Sequence, residues 1–108
     1  MNRGDIWLAS GGPDYAGRPT PVAILQGDAF DTTRSITICP FTTDATDAPL
    51  FRVVVEPSAD NGLRAASRLM TDKITTVSRA KLSERIGRLA DADIRRLNHA
   101  VIVFLGLA

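Results

Sequence analysis

Apolar residues along this chain are spaced for strands through most of its length and for a helix only at its end. The stretch "DIWLAS" (residues 5–10) is followed by the glycine-rich "GGPDYAG" and then by "PVAILQ" (21–26). The second run is almost wholly apolar, as a strand buried on both faces must be. In "SITICPF" (35–41), Ile36, Ile38 and Pro40 fall on one face and Thr37, Cys39 and Phe41 on the other. "FRVVVEP" (51–57) alternates and is rich in valine, which favours strand. "SRLMTDKITTV" (67–77) is long enough to bend or to split in two, "SRAKLSER" (78–85) has room for a helical turn, and "ERIGRL" (84–89) reads as a weaker strand. From Asp91 the period changes: Ile94, Leu97, Val101, Phe104 and Leu105 recur at three- and four-residue steps, one face of a helix. Asp91 and Asp93 suit the positive end of its dipole, and Gly106 stands where it should stop. The pattern predicts a mainly β protein: about five to seven short strands in an antiparallel, barrel-like sheet, closed by a C-terminal α-helix over residues 91–105.

Composition narrows the function classes. At 108 residues, with no repeat or linker, residues 1–108 form one domain. The net charge of +1 gives no global field that attracts nucleic acid, so any anion site has to be local. One cysteine, Cys39, excludes an internal disulfide, and with one histidine, His99, it argues against a zinc site; no metal or other cofactor is expected. The opening residues carry charge at Arg3 and Asp5, unlike a signal peptide, and no run of about 18 apolar residues is present. A cytoplasmic protein with no membrane partner is the expectation.

Three polar signals are left once the core is assigned. In "AGRPTPVAILQ" (16–26), Arg18 stands between a glycine and two prolines, and Pro19 drives it toward an extended backbone at the mouth of a buried strand. In "CPFTTDATD" (39–47), Thr42 and Thr43 end a strand and two acids follow. In "RLMTDKITT" (68–76), Arg68, Met70 and Asp72 share one strand face, because side chains alternate with period two. Each has an ordinary structural explanation: a loop charge, a turn, a surface ion pair. Residue pattern alone gives a barrel without an activity.

The segments "RGDIW", "AGRPTPVAILQ", "ITICPFTT", "LMTDKITTVSRAKLSERIGRL" and "LNHAVIVFLGL" occur in this order across essentially the whole chain, and they resemble the MazF/PemK/Kid family of toxin–antitoxin ribonucleases. The resemblance implies a small SH3-like barrel with a C-terminal helix, shared with the gyrase poison CcdB. It implies a homodimer that cuts single-stranded RNA at short sequences and is silenced by a cognate antitoxin of MazE type with a flexible acidic tail. The family's strand-end threonine or serine falls on Thr42, with Thr43 beside it, and its aspartate falls on Asp72. The family's arginine, just before the strand-opening proline, falls on Thr20, which is a departure. Arg18 lies two residues earlier, about 6.6 Å away along an extended chain and on the same side. Its guanidinium can reach back to the position that Thr20 leaves without a charge.

The chemistry so implied needs no metal. RNA carries its own nucleophile, the 2′-hydroxyl, and the protein has to align it and stabilise charge on the phosphoryl oxygens, leaving a 2′,3′-cyclic phosphate. Arg18, Thr42 and Asp72 are the catalytic candidates: the guanidinium and the hydroxyl for the phosphate, and Asp72 either to hold Arg18 or to contact a base. Tyr15, Thr20, Thr43 and Arg68 are the substrate-binding candidates, Tyr15 as an aromatic platform for an unstacked base. His99, in the terminal helix, reads as a packing or surface residue. The rival is a binding module: a CcdB-like gyrase poison, or a catalytically weak barrel that only binds its antitoxin.

Overall fold

The computed structural model describes residues 1–10 and 18–107. Its elements are β1 (Asp5–Ala9), β2 (Thr20–Ile24), β3 (Ser35–Thr42), β4 (Arg52–Val55), β5 (Ser67–Met70), β6 (Thr75–Ser78), β7 (Leu82–Arg88) and α1 (Asp91–Phe104). All pairings are antiparallel, in the order β4-β5-β3-β2-β1-β7, with β6 on β3. The mainly β fold with one terminal helix is as the pattern predicts. The sheet curls without closing, since β4 and β7 at its two ends do not pair with each other.

The curl follows from β3, whose two faces serve two cores. Ile36 and Ile38 join Ala9, Val22, Ile24 and Leu82 in one cluster; Cys39 and Phe41 join Ile6, Ala23, Val53, Val55, Leu69 and Leu97 in the other. The second cluster draws residues from β4 and from β1, so the sheet must wrap round it. Helix α1 closes it with Leu97 and Ala100, while Ile94 and Val101 pack at the margin. Gly106, at φ 71°, follows the helix end in the left-handed conformation that glycine tolerates.

The long segment 67–77 splits. On one edge of β3, Phe41 and Thr42 pair with Leu69 and Arg68 of β5, whereas Ser35 to Ile38 pair with β6. Between the two, Thr71–Lys73 forms a 3-10 turn. The break falls opposite Cys39 and Pro40, where Pro40 has no N–H to give a ladder. The split is one of the two outcomes expected of this segment, but Asp72 leaves the strand face that Arg68 and Met70 share, a correction to the expectation that all three lie on it. Arg79–Lys81 forms the short helical turn expected after it.

Candidate active site

Three strand ends meet at one end of the curled sheet. Val22 pairs with Pro40 at the end of the β2–β3 ladder, and beyond it Thr20 at the start of β2 and Thr42 at the end of β3 line one cavity. Thr42 pairs in turn with Arg68 of β5, and Arg68 with Val54 of β4. Directly opposed residues share a face with Cβ atoms about 5 Å apart, so the Thr42 hydroxyl and the Arg68 side chain are neighbours.

Local bonds fix this pair. The Thr42 Oγ1 accepts a hydrogen bond from the Asp44 N–H at 3.1 Å, which leaves its own O–H to donate outward. Arg68 Nη1 donates to the Asp44 carbonyl at 3.3 Å. The Asp44 carboxylate accepts from the Thr46 hydroxyl and N–H at 3.0 and 3.1 Å, and these bonds hold its carboxyl below the usual range. The turn after β3 is thus tied to β5 through the residue that also occupies the inner side of the Thr42 hydroxyl.

Each member of the Thr42–Arg68 pair lines a groove of its own. Thr42 lines a cavity of about 780 Å³ at the open sheet end, with Thr20, Thr43, Pro19, Pro21, Leu63, Arg64 and Glu84 among its walls. Arg68 lines a second groove of about 560 Å³ between β4 and α1, together with Arg52, Arg95, Arg96, His99 and Asp47. The second groove gathers four arginines, of which Arg52 and Arg96 are paired with Asp72 and Asp93. Arg18 is exposed on the arm leading into Pro19 and Thr20, and Pro19 rather than Arg18 lines the cavity. The Thr20 Oγ1 is buried with no hydrogen-bond partner among the described residues. Tyr15 lies outside the described residues.

Asp72 meets a partner that the sequence reading missed. Arg52 forks onto it, Nε to Oδ1 at 3.2 Å and Nη2 to Oδ2 at 3.1 Å, with side chains only 13% and 22% exposed. Asp72 therefore holds Arg52, and not Arg18. The signal lay in the register: Arg52 pairs with Met70, so it faces the turn that carries Asp72. The fork keeps the Asp72 carboxyl below the usual aspartate value. A carboxylate depressed in the fold contributes stability above its unfolded value of about 3.9 and loses it as pH falls through the folded value. The melting temperature is accordingly expected to drop from about pH 4 downward more steeply in the parent than in Asp72→Asn. Parallel acid melting curves for the two proteins would show that the pair adds nothing.

Cys39 is excluded as a nucleophile: burial, and then the Asp72 charge, push its thiol up to about 12. His99 sits exposed on α1 at the rim of the second groove. Among the described residues no group of three or more His, Cys, Asp or Glu side chains is arranged to hold a metal ion, and no helix is long and apolar enough to cross a membrane.

Comparison with known proteins places the chain. A family model described as "PemK-like, MazF-like toxin of type II toxin-antitoxin system" matches residues 2–105. A protein of Mycolicibacterium smegmatis named "Probable endoribonuclease MazF" is 52% identical over 108 residues, covering 100% of this chain and 99% of that one. Among solved structures, the Mycobacterium tuberculosis toxin MazF-mt6 superposes with a TM-score of 0.81 at 26% identity, over 96% of this chain and 98% of its own. An endoribonuclease from a mycobacterial species, solved in complex with its cognate antitoxin, superposes with a TM-score of 0.83 at 24% identity, over 100% and 97%. At that identity the second likeness shows the fold.

Proposed function

The chain belongs to the PemK-like, MazF-like toxins of type II toxin–antitoxin systems, and from that premise we propose that residues 1–108 act as one toxin domain, a sequence-specific endoribonuclease of single-stranded RNA. The observation that carries the reading is the Thr42–Arg68 pair, a free O–H across the ladder from a held guanidinium, each lining a groove. RNA crossing the pair has its scissile phosphate against Thr42, flanking nucleotides in the cavity, and further phosphates along the arginines of the second groove. The 2′-oxygen, losing its proton, attacks phosphorus; the bond to the 5′-oxygen breaks, and that oxygen takes up a proton. The products are a 2′,3′-cyclic phosphate and a 5′-hydroxyl. Arg68 and Thr42 stabilise charge on the non-bridging oxygens, where a guanidinium and a hydroxyl preorganised for the purpose act most strongly.

The other candidates take graded parts. Arg18 adds a second cation from the exposed arm, in the place where Thr20 carries none. Thr43 offers a hydroxyl on the cavity wall, Thr20 lines the cavity with its own hydroxyl turned inward, and Tyr15 offers a ring for stacking. Asp72 works through Arg52 as a positioning residue and stays ionised, so it carries no proton in the reaction. The test is cleavage of labelled single-stranded RNA in EDTA, read by the product ends, beside a gyrase relaxation assay. Cyclic phosphate ends in EDTA support the reading; intact RNA with inhibited gyrase would replace it by the binding-module alternative.

Apolar exposure at the end of α1 supports a homodimer. Phe104 is 45% exposed beside Phe51, ring centroids 5.6 Å apart, and Leu50 and Leu107 are 72% and 71% exposed. A self-complementary pair of such surfaces closes a twofold dimer. Phe104→Glu is expected to turn a dimer into a monomer in light scattering at micromolar concentration; a parent protein already monomeric there overturns the assignment. The second groove also suits the acidic, disordered tail of a cognate antitoxin, which orders on binding and keeps RNA out. Such a toxin acts where messenger RNA is found, in the cytoplasm.

A further inference from the structure

We propose that the cavity at the open sheet end is a nucleobase pocket and that Glu84 sets its selectivity, favouring bases with an exocyclic amine over uracil. The inference rests on the reading above that single-stranded RNA occupies this groove.

The cavity has the two kinds of surface a base requires. Leu8, Pro21, Leu63 and Ile86 give it apolar walls, against which the flat face of a base can lie. Thr43 and Glu84 provide polar atoms for its edge. A volume of about 780 Å³ is in the ordinary range for a small-molecule site.

Glu84 is placed there by a built irregularity. Leu8 of β1 pairs with Glu84 of β7, and the register of the two strands slips on both sides of that pair, between Ile6 and Trp7 and again between Leu8 and Ala9. Slips of this kind re-aim side chains, and here Glu84 and Ile86 of the same strand both line the cavity. Glu84 is exposed and has neither a hydrogen bond nor an ion pair among the described residues, although Arg64 lines the same cavity. In a groove that receives a polyanion, a carboxylate without a partner opposes binding unless it accepts a hydrogen bond from the ligand.

Base chemistry decides which ligand edge meets it. A carboxylate only accepts. Cytosine and adenine each present an amine on the Watson–Crick edge, and guanine presents an amine next to a ring N–H. Uracil presents one N–H between two carbonyl oxygens, which a carboxylate repels. A good contact of this kind discriminates about tenfold to a hundredfold against the wrong base.

Short oligomers of 2′-deoxycytidine and of 2′-deoxyuridine separate this inference from the ribonuclease reading, because neither can be cleaved through a 2′-hydroxyl. The parent protein is expected to bind the cytidine oligomer about tenfold to a hundredfold more tightly. Glu84→Gln and Glu84→Ala are expected to bring the ratio close to one, with unchanged melting temperature. Equal binding of both oligomers by the parent, or a ratio that survives in both variants, overturns the assignment of Glu84. Preserved base selectivity in a protein that cuts no RNA would leave Glu84 as the reader and remove the nuclease.

Discussion

Arg68→Ala is expected to slow cleavage of single-stranded RNA by about 10²–10³, equivalent to about 2.7–4 kcal/mol of transition-state stabilisation. The size follows from how Arg68 is held. It is half-buried, bonded to the Asp44 carbonyl at 3.3 Å, and directly across the ladder from Thr42. It therefore needs little reorganisation when charge develops on the phosphate. Folding loses one exposed hydrogen bond, worth at most about 1 kcal/mol, so the melting temperature should move by no more than about 4–8 °C. Arg68→Lys should recover little, because an ammonium cannot make the two-pronged contact of a guanidinium. Arg18→Ala makes the informative contrast. Arg18 is exposed, and a solvent-screened charge is worth about 0.2–1 kcal/mol, so its loss should cost less than about tenfold. Single-turnover cleavage of one labelled RNA by each variant measures both. If Arg18→Ala loses more than Arg68→Ala, the arm and not β5 carries the phosphate, and the cation at the family's position is restored from Arg18.

The sequence showed the frame of this site more clearly than its contacts. Strand periodicity located β2 and β3, and the family resemblance marked Thr20 and Thr42; that the two line one cavity emerged only from the pairing of the strands. The spacing of α1 marked Leu97, which it buries, and Ile94 and Val101, which pack at the margin of the core; it missed the buried Ala100, and Phe104 and Leu105 of the expected face are exposed. Asp72 was harder. Its segment has strand composition, and only Pro40 of β3, which has no N–H to donate to a partner strand, explains why a 3-10 turn lifts Asp72 out of line. Arg52 escaped notice because pairing across a ladder joins residues far apart in sequence, and an arginine opening a valine-rich strand looks like any solvated end. Glu84 was hidden for a related reason: a register slip redirects side chains, and nothing in "KLSERIGRL" marks where the slip falls.

Gly62→Ala and Gly87→Ala are each expected to destabilise the protein by more than about 4 kcal/mol, the range reached only when a substitution meets something that cannot yield. The two glycines lie on either side of one backbone-to-backbone contact. A Cβ on Gly62 would sit 2.2 Å from the Ile86 carbonyl oxygen, and Gly62 is also held at φ +69°, where an L side chain is strained. A Cβ on Gly87 would sit 2.4 Å from both the Asp60 oxygen and the Asn61 carbonyl carbon. Every atom named is main chain, so no rotamer change relieves the overlap. The loop is equally unable to retreat. Asn61 is buried, its side-chain oxygen accepts from the Ser58 and Leu63 N–H groups, and its amide donates to the Glu56 carbonyl at 2.8 Å. Arg88 also donates its N–H to the Asp60 carbonyl at 2.8 Å. The consequence reaches the site, since this contact sets Leu63 and Arg64 against the cavity that Glu84 and Ile86 line from β7. Denaturant unfolding should show a sharply lower midpoint for both variants, and whatever fraction remains folded should bind cytidine and uridine oligomers with less discrimination than the parent. A variant that melts with the parent would mean that loop and strand can separate at no cost, and the cavity wall would then have to be rigid for some reason other than this contact.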